Sequence, residues 1–177
     1  SITVVRNGDA PEVTIDRSDY TWYIYGNSAA ETSAESVLAG TNWGANVEKL
    51  QYSAYEMFKI SDNEADGTGT WMQTWTLAEG DEFLLAYCLL KEGGGISAQD
   101  GTMFYYPDMD EFNGEETAFR KADGMGSNIV VVEGGTYTFT LTVTLNPTTN
   151  TLEGSIEVDK TADILTSAQT WKVLGGR

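Results

Sequence analysis

Carboxylates are the main side chains in this sequence that could act as an acid, a base or a metal ligand. The 177 residues include 27 aspartates and glutamates, 10 lysines and arginines, and no histidine. The lack of histidine excludes a Ser-His-Asp triad and removes the commonest general base and zinc ligand. A glycosidase pair should project from strands into a cleft beside aromatic rings. The candidates here lie in polar turns instead: Asp62, Glu64, Asp66, Asp81, Asp108, Asp110 and Glu111. We therefore predict that the chain is not an enzyme, with a small glycosidase as the weaker alternative.

Calcium is the cofactor that the acidic loops suggest. Residues 62–67 resemble the first half of an EF-hand loop, but its twelfth position is Gln73 rather than a bidentate glutamate. Residues 108–114 cluster side-chain oxygens without completing a ligand pattern. We expect no cofactor, and a structural calcium ion remains the weaker alternative.

Charge restricts the partners of this protein. The formal net charge is -17, which repels nucleic acid and anionic lipid and is compatible with a neutral ligand. No apolar stretch approaches the ~20 residues of a membrane-spanning helix, and no signal peptide is visible, although the numbering can start after a removed one. The single cysteine, Cys88, lies in the apolar run 83–90, where we expect a buried core residue. This composition suits an extracellular or cell-surface bacterial protein.

Aromatic residues are the remaining resource for function. Indole and phenol rings stack on the C–H faces of sugars, while amides, carboxylates and lysines bind the hydroxyl rim. Trp43 is the leading candidate because it lies in the loop 39–44, which has no hydrophobic periodicity. Trp75 shares a predicted strand face with Trp71 and Leu77 and is expected in the core. The complete set of predicted carbohydrate-binding residues is Trp43, Asn42, Trp71, Lys91, Tyr105 and Tyr106.

The scaffold is predicted most clearly by residues 134–158. Apolar and threonine side chains alternate without a break over residues 137–145, a turn follows at 146–150, and a second strand places Leu152, Ile156 and Val158 on one face. Such a hairpin needs a second layer over its apolar face. Together with the other strand patterns, it predicts an all-β fold, an antiparallel, immunoglobulin-like β-sandwich of about seven to nine strands. Further strands are predicted at residues 2–5, 12–15, 21–26, 70–77, 82–90 and 128–132.

The rest of the chain is divided more coarsely. Residues 27–50 are expected to form a loop, residues 47–60 a short helix or strand, and residues 108–116 an acidic loop. The strand at 82–90 is apolar on both faces, which predicts a central position. We predict one domain over residues 1–160, followed by a short helix or linker at 161–177.

Three landmarks occur in a fixed order: the aromatic strand 22–26 with the Gly-Thr-Asn-Trp loop 40–43, the segment 69–83, and the Gly-Gly-Thr-Tyr strand from residue 134. Over about residues 20–158 the chain resembles starch-binding β-sandwich modules of gut bacterial surface proteins, of the outer-membrane type found in starch-utilisation systems. It departs from that pattern at Leu84, where the family has lysine, in the longer loop 27–42, and in residues 91–127, which look like an insertion.

The resemblance implies a function and a leading site residue. In that family a loop tryptophan stacks on glucose beside a second aromatic and polar side chains, and Trp43 occupies the matching position. We expect a non-catalytic module that binds starch or malto-oligosaccharide as one part of a larger polypeptide at a bacterial cell surface. The alternative is a structural or adhesive sandwich domain without a glycan ligand.

Overall fold

The fold is described from a computed structural model of the chain. The structure describes residues 2–7, 10–15, 21–28, 35–62, 68–88, 95, 103–105, 112–114, 116–124 and 128–163. Within these ranges strands predominate, and two sheets pack face to face as a β-sandwich, which confirms the predicted all-β fold class.

The described strands fall into three sheets. The first is the hairpin of β1 (Ile2–Asn7) and β2 (Ala10–Ile15), which contain the strands predicted at residues 2–5 and 12–15. One layer of the sandwich, the β6 sheet, has β3 (Thr21–Asn27), β6 (Glu82–Cys88), β10 (Ile129–Val131) and β9 (Phe119–Lys121) in that order, with β7 (Met103–Tyr105) also paired to β6. The other layer, the β11 sheet, has the order β4 (Phe58–Asp62), β5 (Gly69–Leu77), β11 (Gly135–Asn146), β12 (Thr151–Asp163) and β8 (Phe112–Gly114).

The β11–β12 hairpin supplies the centre of the core. The apolar side chains of β11 from Tyr137 to Val143 are fully buried, whereas its threonines lie on the outer face. On that face Thr74 and Thr76 of β5 pair through their hydroxyls with threonines of β11, each at 2.8 Å. Leu145 departs from the predicted pattern and is 43% exposed, because β5 pairs with β11 only as far as Val143.

Aromatic side chains join the two layers. The Trp22 ring of β3 lies 6.2 Å from the Trp71 ring of β5, edge to face, and the Phe83 ring of β6 lies 5.9 Å from Phe139 of β11. The sequence left open which pair of β3 side chains faces inward, and the contact with Trp71 assigns that role to Trp22 and its alternate neighbour Ile24. Both faces of β6 are buried, as its uninterrupted apolar run predicted.

Several local predictions need revision. Residues 47–60 contain both of the predicted alternatives, because a 3-10 helix at Lys49–Ala54 precedes β4. The acidic loop at 108–116 contains β8, which pairs in parallel with β12. The segment 91–127, interpreted as an insertion, contributes β7, β8 and β9 to the two layers. The last strand continues to Asp163, three residues beyond the predicted boundary at 160.

The Cys88 thiol tests the enclosure of β6. It is 1% exposed, and burial raises its pKa from the ordinary 9.0 to about 12. At pH 8 the folded thiol therefore stays protonated, and we expect no reaction with Ellman's reagent until the chain is unfolded in guanidinium, when one thiol per chain should react. Between pH 9 and 12 only the unfolded thiol ionises. The contribution of Cys88 to the free energy of unfolding therefore decreases as the pH rises through this range. Rapid labelling of the native protein at pH 8 would contradict this placement.

Candidate functional site

The loop that carries Trp43, residues 35–47, is fixed to the end of β3 through one carbonyl. The Gly26 carbonyl accepts a hydrogen bond from the Thr41 hydroxyl at 2.8 Å and another from the Trp43 backbone N–H at 3.0 Å. Glycine is required at position 26, because a Cβ atom there would lie 2.1 Å from the carbonyl oxygen of Glu82 on the neighbouring strand. The close approach of β3 and β6 thus sets the position of this loop, which we call the Trp43 loop.

The backbone of the Trp43 loop is left-handed at its tip. Asn42, Trp43 and Gly44 have φ angles of +46°, +52° and +75°. Asparagine and glycine adopt this conformation readily, whereas for a bulky residue it is unfavourable by about 1–2 kcal/mol. The two hydrogen bonds to the Gly26 carbonyl offset that strain. Strain of this kind is concentrated at functional sites, so the conformation of Trp43 is an observation in favour of a binding role.

The Trp43 ring is half-buried and lies against Tyr25. The two ring centroids are 5.4 Å apart and the ring planes are inclined by 56°. Tyr25 lies on the outer face of β3, the face opposite Trp22. The pair therefore forms a bent aromatic surface whose parts are both partly accessible.

A polar pocket lies between the end of β3 and the Trp43 loop. Its volume is about 390 Å³, and it is lined by Asn27, Ser28, Gly40, Asn42 and Asn46. Asn46 donates a side-chain hydrogen bond to the Gly40 carbonyl at 3.1 Å, across the loop. Among the described residues, its lining consists of amides, a hydroxyl and a glycine and carries no charge, and we call it the amide pocket.

A buried carboxylate holds the segments that flank this pocket. Asp81 is 0% exposed and follows the turn after β5. It accepts hydrogen bonds from the Ser28 hydroxyl at 2.5 Å, from the Ser36 hydroxyl, and from the Ala78 backbone N–H at 2.9 Å. Ser36 in turn accepts from the Leu38 N–H at 3.1 Å. Asp81 is thus enclosed by donors and positions residues 28 and 36 without reaching a ligand.

A second pocket lies at the edge of β5. It has a volume of about 480 Å³ and is lined by Glu35, Ser36, Val37, Ser53, Ala54, Gln73, Thr74, Trp75 and Thr76. Trp75 donates its indole N–H to the Ala54 carbonyl at 2.8 Å and is buried, which confirms its predicted core position. The described lining of this pocket has no accessible aromatic face, and the pocket is the weaker candidate for sugar binding.

The structure brings together two of the predicted site residues, Trp43 and Asn42. Trp71 is only 2% exposed and lies in the core of the opposite layer, so its ring offers no face to a ligand. Its exposed neighbour Lys59 places its Nζ 5.5 Å from the Trp71 ring. The backbone of Tyr105 lies in β7, whereas its side chain and all of Lys91 and Tyr106 lie outside the described residues.

Sequence reasoning did not single out Tyr25, Asn27 or Asn46. A signal was available for the first two, because strict alternation in β3 places Tyr25 and Asn27 on the face opposite Trp22. Asn46 had no such signal, since its position depends on the folding of the Trp43 loop.

The described residues contain neither a metal-ligating cluster nor a membrane-spanning helix. In the described ranges no group of three or more carboxylate or thiol side chains is arranged to hold a metal ion. The helices in those ranges are also too short or too polar to cross a bilayer. The EF-hand-like segment lies mainly outside the described residues, since 63–67 are not among them.

Comparison of the chain with known proteins found no matching family model, no matching curated protein and no matching solved structure.

The hydrogen bonds of Asp81 predict its contribution to stability. Asp81→Ala would leave two buried hydroxyls and one N–H without their acceptor, and we expect a loss of about 3 kcal/mol or more in the free energy of unfolding. Urea unfolding followed by tryptophan fluorescence measures this loss. Glu79→Ala is the matched control, because Glu79 is exposed on the same turn and should change stability by less than about 0.5 kcal/mol. Equal effects of the two substitutions would contradict the role of Asp81.

Proposed function

We propose that this protein is a non-catalytic carbohydrate-binding module that binds starch or related α-glucans at a bacterial cell surface. The observation that carries the proposal is Trp43, a half-buried tryptophan held in a left-handed backbone conformation at the tip of a hydrogen-bonded loop. A large aromatic kept partly accessible at a cost in backbone strain is expected where the ring itself contacts a ligand. The resemblance of the chain to starch-binding modules assigns the same residue.

The shape of the aromatic surface supports a curved glucan. Trp43 and Tyr25 are inclined by 56°, so two sugar rings stacked on them could not be coplanar. An α-1,4-linked glucan turns along its length and fits such a surface. The extended ribbon of cellulose would instead require rings in one plane.

Electrostatics favour a neutral ligand at this site. The net charge of -17 raises the energy of any anion near the protein, while an uncharged polysaccharide is unaffected. The amide pocket beside Trp43 can bind hydroxyls in either direction, because an amide both donates and accepts. Stacking and amide hydrogen bonds together are the usual elements of sugar recognition.

The site favours sugar binding over glycoside hydrolysis. Glycoside hydrolysis uses two carboxyl groups about 5–9.5 Å apart on either side of the scissile bond. The described residues that line the amide pocket carry no carboxylate. Asp81, a buried carboxylate bonded to the lining residue Ser28, has its oxygens occupied by two serine hydroxyls and a backbone N–H.

A second candidate function rests on the edge strand of the β11 sheet. Phe58, 55% exposed, and Ile60 lie on β4, and Phe58 is directly opposite the exposed Met72 of β5. Exposed apolar side chains grouped in this way are typical of protein-contact surfaces. They favour the structural or adhesive domain as the alternative function.

Affinity electrophoresis in gels containing amylopectin tests the proposed function. The parent chain should be retarded relative to a gel without polysaccharide. Trp43→Gly should reduce the affinity at least ten-fold, because it removes the ring while glycine relieves the left-handed backbone and keeps the fold. Phe58→Ala removes an exposed aromatic from the other layer and should leave the retardation unchanged.

The outcomes separate the candidates. Unchanged mobility of the parent chain would reject starch binding and leave the adhesive domain. Retardation of Trp43→Gly equal to that of the parent would keep the function but remove Trp43 from the site. Release of reducing sugar from amylopectin by the parent would show that the protein is an enzyme.

A further inference from the structure

The amide pocket has lining groups that are available for a ligand. Asn27 and Asn42 make no side-chain hydrogen bond to another residue in the described part of the chain. Asn46 uses one amide N–H on the Gly40 carbonyl, which orients the amide and leaves its oxygen and second N–H available. Three amides therefore meet around one cavity with donors and acceptors unused.

The walls of the amide pocket are held before any ligand arrives. Ser28 is fixed by its hydrogen bond to the buried Asp81, and the neighbouring Gly26 carbonyl holds the Trp43 loop opposite. Asn46 closes the loop through its backbone N–H, which donates to the Thr41 carbonyl at 3.1 Å. The backbone of such a site does not need to be ordered on binding, which lowers the entropic cost of association.

The aromatic pair and the amide pocket are neighbours on one surface. Tyr25 and Asn27 lie two residues apart on the same face of β3, a separation of about 7 Å. Trp43 rests on Tyr25, and the adjacent Asn42 lines the pocket. A volume of about 390 Å³ lies near the lower end of the range for small-molecule sites, about 300–1,000 Å³, and is suited to a sugar ring.

We infer that the amide pocket is a binding subsite for an uncharged sugar ring, with Asn27 and Asn46 as residues that select neutral sugars over anionic ones. Unused amides match the hydroxyls of a neutral sugar, each of which donates and accepts. The described lining has no lysine or arginine to balance a carboxylate, and the negative charge of the protein opposes one. The inference rests on the proposed function, since the same ligand would stack on Trp43, and it deepens that function by naming the ligand class and the selecting residues.

Side-chain amide resonances report on the pocket directly. Maltotriose and glucuronic acid, titrated separately into 15N-labelled protein, provide a neutral and an anionic probe. We expect maltotriose to shift the side-chain amides of Asn27, Asn42 and Asn46, and glucuronic acid to leave them unchanged. Equal shifts with both probes would overturn the selection of neutral sugars, and shifts confined to the Trp43 indole would overturn the subsite.

Substitutions measure the contribution of the pocket. Asn27→Ala and Asn46→Ala should each weaken maltotriose binding about five-fold, the effect of one lost hydrogen bond. Asn150→Gly is the matched control, because Asn150 has a φ of +54° that glycine adopts without strain. Asn150 lies in the turn between β11 and β12, at one end of β11. The other end of β11 begins at Gly135, which pairs with Leu77, close in sequence to Asp81. The affinity of Asn150→Gly for maltotriose should equal that of the parent chain.

Failure of the subsite and failure of the proposed function give different results. If Trp43→Gly abolishes binding and both asparagine variants bind as the parent does, the subsite is wrong and starch binding stands. If the parent binds no maltotriose but a neutral mannotriose shifts the same three asparagine amides, starch is wrong and the subsite stands. If neither neutral sugar shifts these amides, the inference is overturned.

Discussion

Burial of the apolar face of β11 is the constraint on which the architecture depends. Four consecutive inward side chains from Tyr137 to Val143 are fully enclosed, and each large one is worth about 1.5–3 kcal/mol when removed from water. One sheet cannot enclose its own face, so the β6 sheet has to lie across it, and Phe83 meets Phe139 at the interface. The same demand makes β6 apolar on both sides and keeps charged groups at the periphery: among the described residues with assigned burial, Asp81 is the one buried carboxylate.

The Trp43 loop is attached to the sandwich through both apolar and polar groups. Its Leu38 and Val47 side chains are buried in the core, and its backbone polar groups require partners as well. The Gly26 carbonyl at the end of β3 accepts from the Trp43 backbone N–H and the Thr41 hydroxyl, and the Asp81 carboxylate before β6 accepts from the Ser36 hydroxyl. Both acceptors are fixed by the sheet pairing of β3 with β6, so the geometry of the loop follows from the registry of two core strands.

Local patterns in the sequence were sufficient to predict the main strands of the sandwich, but insufficient to predict which side chains meet at the candidate site. Alternation at residues 137–145 and the apolar run at 82–90 identified β11 and β6, because the order of apolar and polar residues along a strand follows which of its side chains are buried. The parallel pairing of β8 with β12 joins segments more than forty residues apart and leaves no local trace. The same reason hides the bond between Ser28 and Asp81, 53 residues apart. Trp71 was kept as a binding candidate because a strand pattern gives the face of a residue but not the depth of the layer above it.

The strained backbone at Trp43 links the stability of the loop to the binding role proposed for it. A left-handed tryptophan is unfavourable by about 1–2 kcal/mol, and two hydrogen bonds of about 1 kcal/mol each are enough to hold it. Glycine would relieve the strain, but it would leave no ring above Tyr25. The backbone strain that keeps the indole accessible is therefore compensated during folding. A ligand that stacks on it then meets a surface already in its binding geometry, and its affinity is not reduced by the need to order the loop.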